Sequence, residues 1–189
     1  MTKIEHLILS GKNIFSLQDL AVQWNIVEHR KLVELVKYYL RQKRILPIKK
    51  GLYSINKSYS DLELAQKIVP ISYVSYHTAL SFYGVNFQFY SEIHSCSLKS
   101  KTIQIGEKKL VYHKIPDQVF YSGVGLVQEN NFTIANLERT ICDSLLINKN
   151  IGFDHLDNIN AEKLIEISKI YKNKRLENSL NKLTKQQLK

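Results

Sequence analysis

The run EHRKLVELVKYYLRQKRILPIKKGLYS, residues 28–54, restricts the fold more than any other part of the chain. Over 28–43, apolar residues recur at Leu32, Leu35, Val36, Tyr39 and Leu40, the spacing of one buried helical face. At about 100° per residue, the opposite face carries Arg30, Glu34, Lys37 and Arg41, with Arg44 trailing beyond its end. The period then changes. ILPI and LYSI are short β-prone runs joined by Lys49, Lys50 and Gly51; the glycine supplies the positive φ that a tight turn needs, and Pro47 confines its strand to a sheet edge. The pattern predicts a cationic helix that runs directly into a lysine-tipped hairpin.

Upstream, Ile4, Leu7 and Ile8 suit a first helix stopped at Gly11. Ser16 is placed to cap a second, with Asp19 as its capping-box partner and Leu17, Leu20, Ala21 and Trp24 facing inward. A break at Asn25–Val27 separates that helix from the cationic one. Helix, helix–turn–helix and hairpin within sixty residues is the order of a winged helix-turn-helix, which sets its last helix in the major groove and its hairpin on the neighbouring backbone. On that reading Lys37, Arg41, Lys49 and Lys50 neutralise phosphates, giving affinity and register. His29, Arg30 and Lys31, at the start of the helix, are placed for base edges, with Arg30 able to grip a guanine in bidentate fashion. Glu34 is expected to pair along the helix with Arg30 or Lys37, with acceptance from a cytosine as the alternative.

Charge distribution suits a polyanion partner, most plausibly nucleic acid, and equally a basic surface that only aids solubility. The net charge is +10, but residues 1–58 hold 11 Lys/Arg against 4 Asp/Glu, 59–160 hold 8 against 10, and 161–189 hold 8 against 3, so the excess lies at the two ends.

The predicted fold class is α+β: a winged helix-turn-helix over 1–56, an α+β domain with a small antiparallel or mixed sheet over 61–160, and a basic helical segment over 161–189. INKSYS, 55–60, is the expected linker. In the middle domain, DLELAQKIVP reads as a helix, ISYVS as a strand, and SYHTALSFYGV as a helix capped by Ser75. Strands are expected over 92–98, 101–105, 109–115, 123–128 and 132–135, with QENN turning the last pair. NLERTICDSLLI then returns to helix, with Asn136 as cap.

KKGLYSI, LAQKIVPISYVSYHTALSFYGV, VYHKIP and TIANLERTICDSL, in that order over roughly residues 15–146, resemble AbiEi-family antitoxins of type IV toxin–antitoxin systems. The resemblance implies a cytoplasmic DNA-binding autorepressor acting at an operator with inverted repeats, in an abortive-infection or phage-defence setting. It also implies protection from a nucleotidyltransferase-like (AbiEii-like) toxin without a stable toxin complex. The family's wing usually carries arginine before its GLY, where this chain has Lys49 and Lys50; lysine is a point charge, which keeps phosphate contacts and disfavours planar base reading. The C-terminal part is short beside the family's, so DNA binding carries over more directly than antitoxin activity. A regulator of another operon with no toxin partner, and an antitoxin that binds its toxin directly, remain the alternatives.

No catalytic site, cofactor or metal site is expected. His77, His94 and His113 are scattered, without a second ligand at metal spacing. SGVGL lacks the lysine and helix start of a phosphate loop, GEKK offers only a weak nuclease pattern around Glu107, and no Asp-x-Asp is present. Glu138, Arg139 and Asp143 form the best polar cluster of the middle domain, read first as a cap and local ion pair and second as an antitoxin surface. Cys96 and Cys142 match no redox or metal spacing and read as buried reduced thiols. No segment reaches the roughly 18 apolar residues of a membrane span, so no membrane partner is expected. In the tail, Leu164, Ile165, Ile167, Ile170 and Tyr171, then Leu176, Leu180 and Leu183, suit one or two amphipathic helices with basic outer faces, packed on the middle domain, with a second nucleic-acid contact or a partner surface as the alternatives.

Overall fold

The structure, a computed structural model, describes residues 2–86, 91–156 and 158–187. Residues 188 and 189 of the basic tail lie outside the described residues. The chain is α+β and divides into two compact units, 1–68 and 69–189.

In the first unit, α1 (Lys3–Leu9) begins in a capping box made by Thr2 and Glu5, and α2 (Leu17–Trp24) in the expected one made by Ser16 and Asp19. Asn25 closes α2 in the left-handed region at φ 50°, which Asn tolerates better than most residues. The amphipathic helix is α3 (His29–Arg41). Its Leu32 and Val36 join Leu7, Phe15, Leu20, Trp24 and Ile45 in one core. Trp24 is fully buried and donates from Nε1 to the Lys3 carbonyl at 2.9 Å, and the Lys3 ammonium returns a bond to the Trp24 carbonyl, tying α1 to α2.

The hairpin is β2 (Leu46–Lys49) and β3 (Leu52–Ser54), with Gly51 at φ 79° in its turn and a bulge between Pro47 and Lys49. A third strand, β1 (Ile14–Ser16), pairs antiparallel with β3, giving the order β1-β3-β2 and leaving Pro47 on an edge. Periodicity offers no strand there, because three residues are too few to alternate.

The helix α4 (Asp61–Ile68), expected at the head of the second domain, belongs to the first unit. Its Glu63 is buried, and one carboxylate oxygen accepts from the Asn13 and Ile14 amides, each at 3.1 Å. Lys67 pairs with Asp19 at 2.9 Å. The carboxylate thus satisfies two strand-end donors that the sheet leaves open.

The second unit holds a mixed six-stranded sheet formed by β4 (Ser72–Val74), β5 (Glu92–Ser97), β6 (Lys101–Ile105), β7 (Lys108–Lys114), β8 (Leu126–Glu129) and β9 (Phe132–Ala135). The spatial order is β6-β7-β5-β4-β9-β8; β5/β7 and β4/β9 are parallel and the other neighbours antiparallel. The strand expected over 123–128 starts only at Leu126, because Gly123 and Gly125 take φ of 67° and 76° and turn the chain first. A Cβ on Gly125 would come within 2.8 Å of the Arg139 Cβ.

Helices α5 (Tyr76–Phe82) and α6 (Asp117–Phe120) flank α7 (Leu137–Ile147), in which seven successive residues, Glu138 to Ser144, are buried. Asn136 caps α7 through the Arg139 amide at 2.8 Å, as its position predicts. Helix α8 (Ala161–Ser168), a 3-10 turn (Lys169–Tyr171) and α9 (Lys174–Gln187) bury Leu164, Ile167, Tyr171, Leu176 and Leu180 in the same core. The tail therefore packs on the middle domain, as its periodicity anticipates, but Ile165, expected on the inner face, is exposed. No described helix is long and apolar enough to cross a membrane.

Glu63→Ala strips one buried and one half-buried amide of their acceptor. It should destabilise the first unit by about 1–3 kcal/mol, read as a lower midpoint in urea unfolding followed through the fluorescence of Trp24, the chain's single tryptophan.

Candidate functional site

Helix α3 is two-faced because its sequence is. Leu32 and Val36 are 4% and 3% exposed, while His29, Arg30, Lys31, Glu34, Lys37 and Arg41 all lie on the surface. Lys49 and Lys50 are exposed at the tip of the hairpin in the same unit. All seven candidate contact residues are therefore available to a ligand.

Two of them are engaged locally. Arg30 Nε meets Glu34 Oε1 at 3.3 Å and Lys31 Nζ meets Glu28 Oε2 at 2.9 Å, the first being the pairing expected for Glu34. Such exposed helical pairs contribute only about 0.3–0.5 kcal/mol, so neither holds its cation back from a polyanion. Lys37, Arg41, Lys49 and Lys50 make no ion pair among the described residues.

The second polar cluster is not a surface. Glu138 is 6% exposed and Arg139 and Asp143 are fully buried, which corrects their reading as an antitoxin surface and extends that of a local ion pair. Arg139 Nη2 donates to the Val119 carbonyl at 2.7 Å and to Tyr73 Oη at 2.9 Å, and Nη1 donates to the Val124 carbonyl at 2.5 Å. Arg139 Nε lies 3.6 Å from Asp143 Oδ1. Asp143 accepts from the hydroxyls of Tyr73 (2.9 Å), Ser75 (2.9 Å) and Tyr171 (2.6 Å).

Ser75 precedes α5 as expected, but its hydroxyl serves Asp143 instead of the helix end. Burial pushes the Asp143 carboxyl up, against the pull of Arg139 and the three hydroxyls. Burial also raises Tyr73 and Tyr171, keeping them neutral donors. Glu138 accepts from the Asn160 amide at 3.3 Å and lies 3.6 Å from Lys163, joining α7 to α8. These contacts hold elements together.

The three histidines that look scattered in the sequence are brought together. Parallel pairing of β5 with β7 sets His94 Nδ1 2.9 Å from His113 Nε2, with the rings stacked at 5.2 Å. His77 lies 5.4 Å from His94 between ring centres, and Tyr76 packs against all three rings. Glu92 lies 3.6 Å from His94 Nε2 and also binds Lys109 at 2.5 Å. The two closest ring nitrogens face each other across a hydrogen bond, and no group of three His, Cys, Asp or Glu among the described residues is arranged to hold a metal. Burial, then the charges of His113 and His77, lowers the His94 pKa from 6.5 to about 4; burial also lowers those of His77 and His113. Cys96 and Cys142 are free and buried, and burial pushes both thiols up.

No protein-family model matches the chain, and no curated protein matches it.

Two measurements probe the second unit. Arg139→Ala leaves Asp143 buried without its cation and should cost about 3–5 kcal/mol, seen in denaturant titration of the purified chain. A histidine with a depressed folded pKa binds fewer protons folded than unfolded, so its stabilisation is full above pH about 6.5 and is lost as pH falls towards 4. Thermal midpoints should drop across that window by the equivalent of roughly 2–3 kcal/mol, and His94→Asn should flatten the drop.

Proposed function

We propose that the first unit is a winged helix-turn-helix that binds operator DNA, and that the chain is a type IV, AbiEi-like autorepressor and antitoxin. The observation that carries the reading is the exposed cationic face of α3, with its apolar face buried, in one unit with a lysine-tipped hairpin. With 13 residues at about 1.5 Å each, α3 is long enough to lie along a major groove about 12 Å wide.

In that pose the start of α3 meets base edges and its later turns approach the backbone. Arg30 exchanges Glu34 for a guanine, giving two parallel hydrogen bonds in place of one exposed ion pair. Lys37 and Arg41 neutralise phosphates along the groove, and Lys49 and Lys50 do so on the neighbouring backbone. The hairpin lysines act as point charges, so they add affinity and salt dependence without base preference. Two copies on inverted repeats would then occlude transcription of the chain's own operon.

The antitoxin half of the proposal rests on the ordered sequence resemblance. Arg139 and Asp143 are too deeply buried to meet a toxin, so protection from a nucleotidyltransferase-like toxin is assigned to other surfaces or to control of toxin synthesis. No stable complex with the toxin is expected.

Arg30→Ala together with Arg41→Ala removes a base contact and a phosphate contact from solvent-exposed positions. The double variant should keep the wild-type melting temperature and lose specific operator binding in a mobility-shift assay. For the wild type, log affinity should fall linearly with log salt, by about 0.9 per phosphate neutralised. Wild-type affinity in the double variant would overturn the assignment.

A further inference from the structure

We infer that Val27 is a base-reading residue that recognises the 5-methyl group of a thymine in the major groove, an inference that rests on the DNA-binding reading of the first unit. Val27 is 99% exposed, more than any other large apolar side chain among the described residues. Its neighbour Ile26 packs on the core of the unit, so the turn between α2 and α3 sends one β-branched residue inward and the next one out. Turn positions ordinarily favour Gly, Asn, Asp or Ser, and packing gives no reason for valine at 27.

What surrounds Val27 identifies its ligand. It lies two residues before the first residue of α3, next to exposed Glu28, His29, Arg30 and Lys31. In helix-turn-helix docking, that end of the helix reaches the base edges. A phosphate offers valine nothing to bind. The apolar group that base pairs expose in the major groove is the thymine methyl, and small apolar side chains are its usual contact. Val27 and Arg30 would then read neighbouring positions by different chemistry, one by methyl contact and one by hydrogen bonds. Among the described residues, Arg30 is held only by its exposed pair with Glu34.

The test uses the full chain. Wild type and Val27→Ala each select duplexes from a random-sequence pool, and every thymine of the enriched site is then replaced singly by deoxyuridine, which pairs identically and lacks only the methyl. One thymine should emerge at which deoxyuridine weakens the wild type about fourfold, the effect of one buried methyl, and leaves Val27→Ala unchanged. Val27→Ala should lose the same factor on the unmodified site, with the same salt slope as wild type. Equal deoxyuridine effects in both proteins at every position would overturn the inference while leaving DNA binding intact. So would a Val27→Ala chain with unaltered base preference and reduced self-association in sedimentation, which would make Val27 a protein contact. A pool in which the wild type enriches no sequence would overturn the DNA-binding reading itself, and this inference with it.

Discussion

Arg139 is fully buried, and the second unit is arranged so that its charge costs as little as possible. An isolated guanidinium in a protein interior is prohibitively unfavourable, so its charge has to be met by oxygen and by a counter-charge. The Val119 and Val124 carbonyls and Tyr73 accept from its two Nη atoms, its Nε makes no hydrogen bond among the described residues and faces Asp143 at 3.6 Å as an ion pair, and Ser75 and Tyr171 complete the carboxylate. The tyrosine rings also face the cation, with Arg139 Cζ 5.2 Å from the Tyr73 centroid and 5.8 Å from that of Tyr171. Strand β4, the loop ahead of β8, helix α7 and the 3-10 turn after α8 are thereby bound to one point. Gly125 is part of the same arrangement, because any larger residue would collide with the base of the Arg139 side chain.

The first unit depends on a different balance. Its core is small and rests on Trp24 and the apolar stripe of α3, leaving the rest of that helix free to be charged. Glu63 and Lys67 on α4 close the open side of β1 and the start of α2, the first by hydrogen bonds to backbone amides and the second by an ion pair, instead of apolar contacts. The cationic face and the hairpin tip are thus presented from a framework whose polar groups are already satisfied, which limits the ordering cost of meeting a ligand. The exposed pairs of Arg30 and Lys31 keep those two side chains on the helix surface at little energetic cost, and they are easily exchanged for phosphate or base.

Much of this was legible in the residues. The Ser16 and Asn136 caps, the inner faces of α2 and α3, the Gly51 turn, the edge position of Pro47 and most strands of the larger sheet follow from local periodicity and capping chemistry. Strand β1 did not, since three residues have no readable period. Helix α4 is legible as a helix but not in its neighbours, because a buried glutamate that caps a distant strand looks like an ordinary solvated acid. The histidines looked scattered because parallel pairing of β5 with β7 joins residues 94 and 113 through a connection that no local pattern announces.

The sequence alone determined the α+β class, the two-faced basic helix with its lysine hairpin, and the concentration of positive charge at the chain ends. Each depends on side-chain order within a few turns of helix or one strand pair, where covalent spacing dictates which groups share a face. Only the tertiary structure decided that Arg139 and Asp143 are an interior tie instead of a surface, that three histidines form one cluster, and that Val27 stands uncovered beside the cations. Those facts depend on which distant segments meet, and a residue's chemistry does not reveal whether water or protein surrounds it until the whole chain has folded.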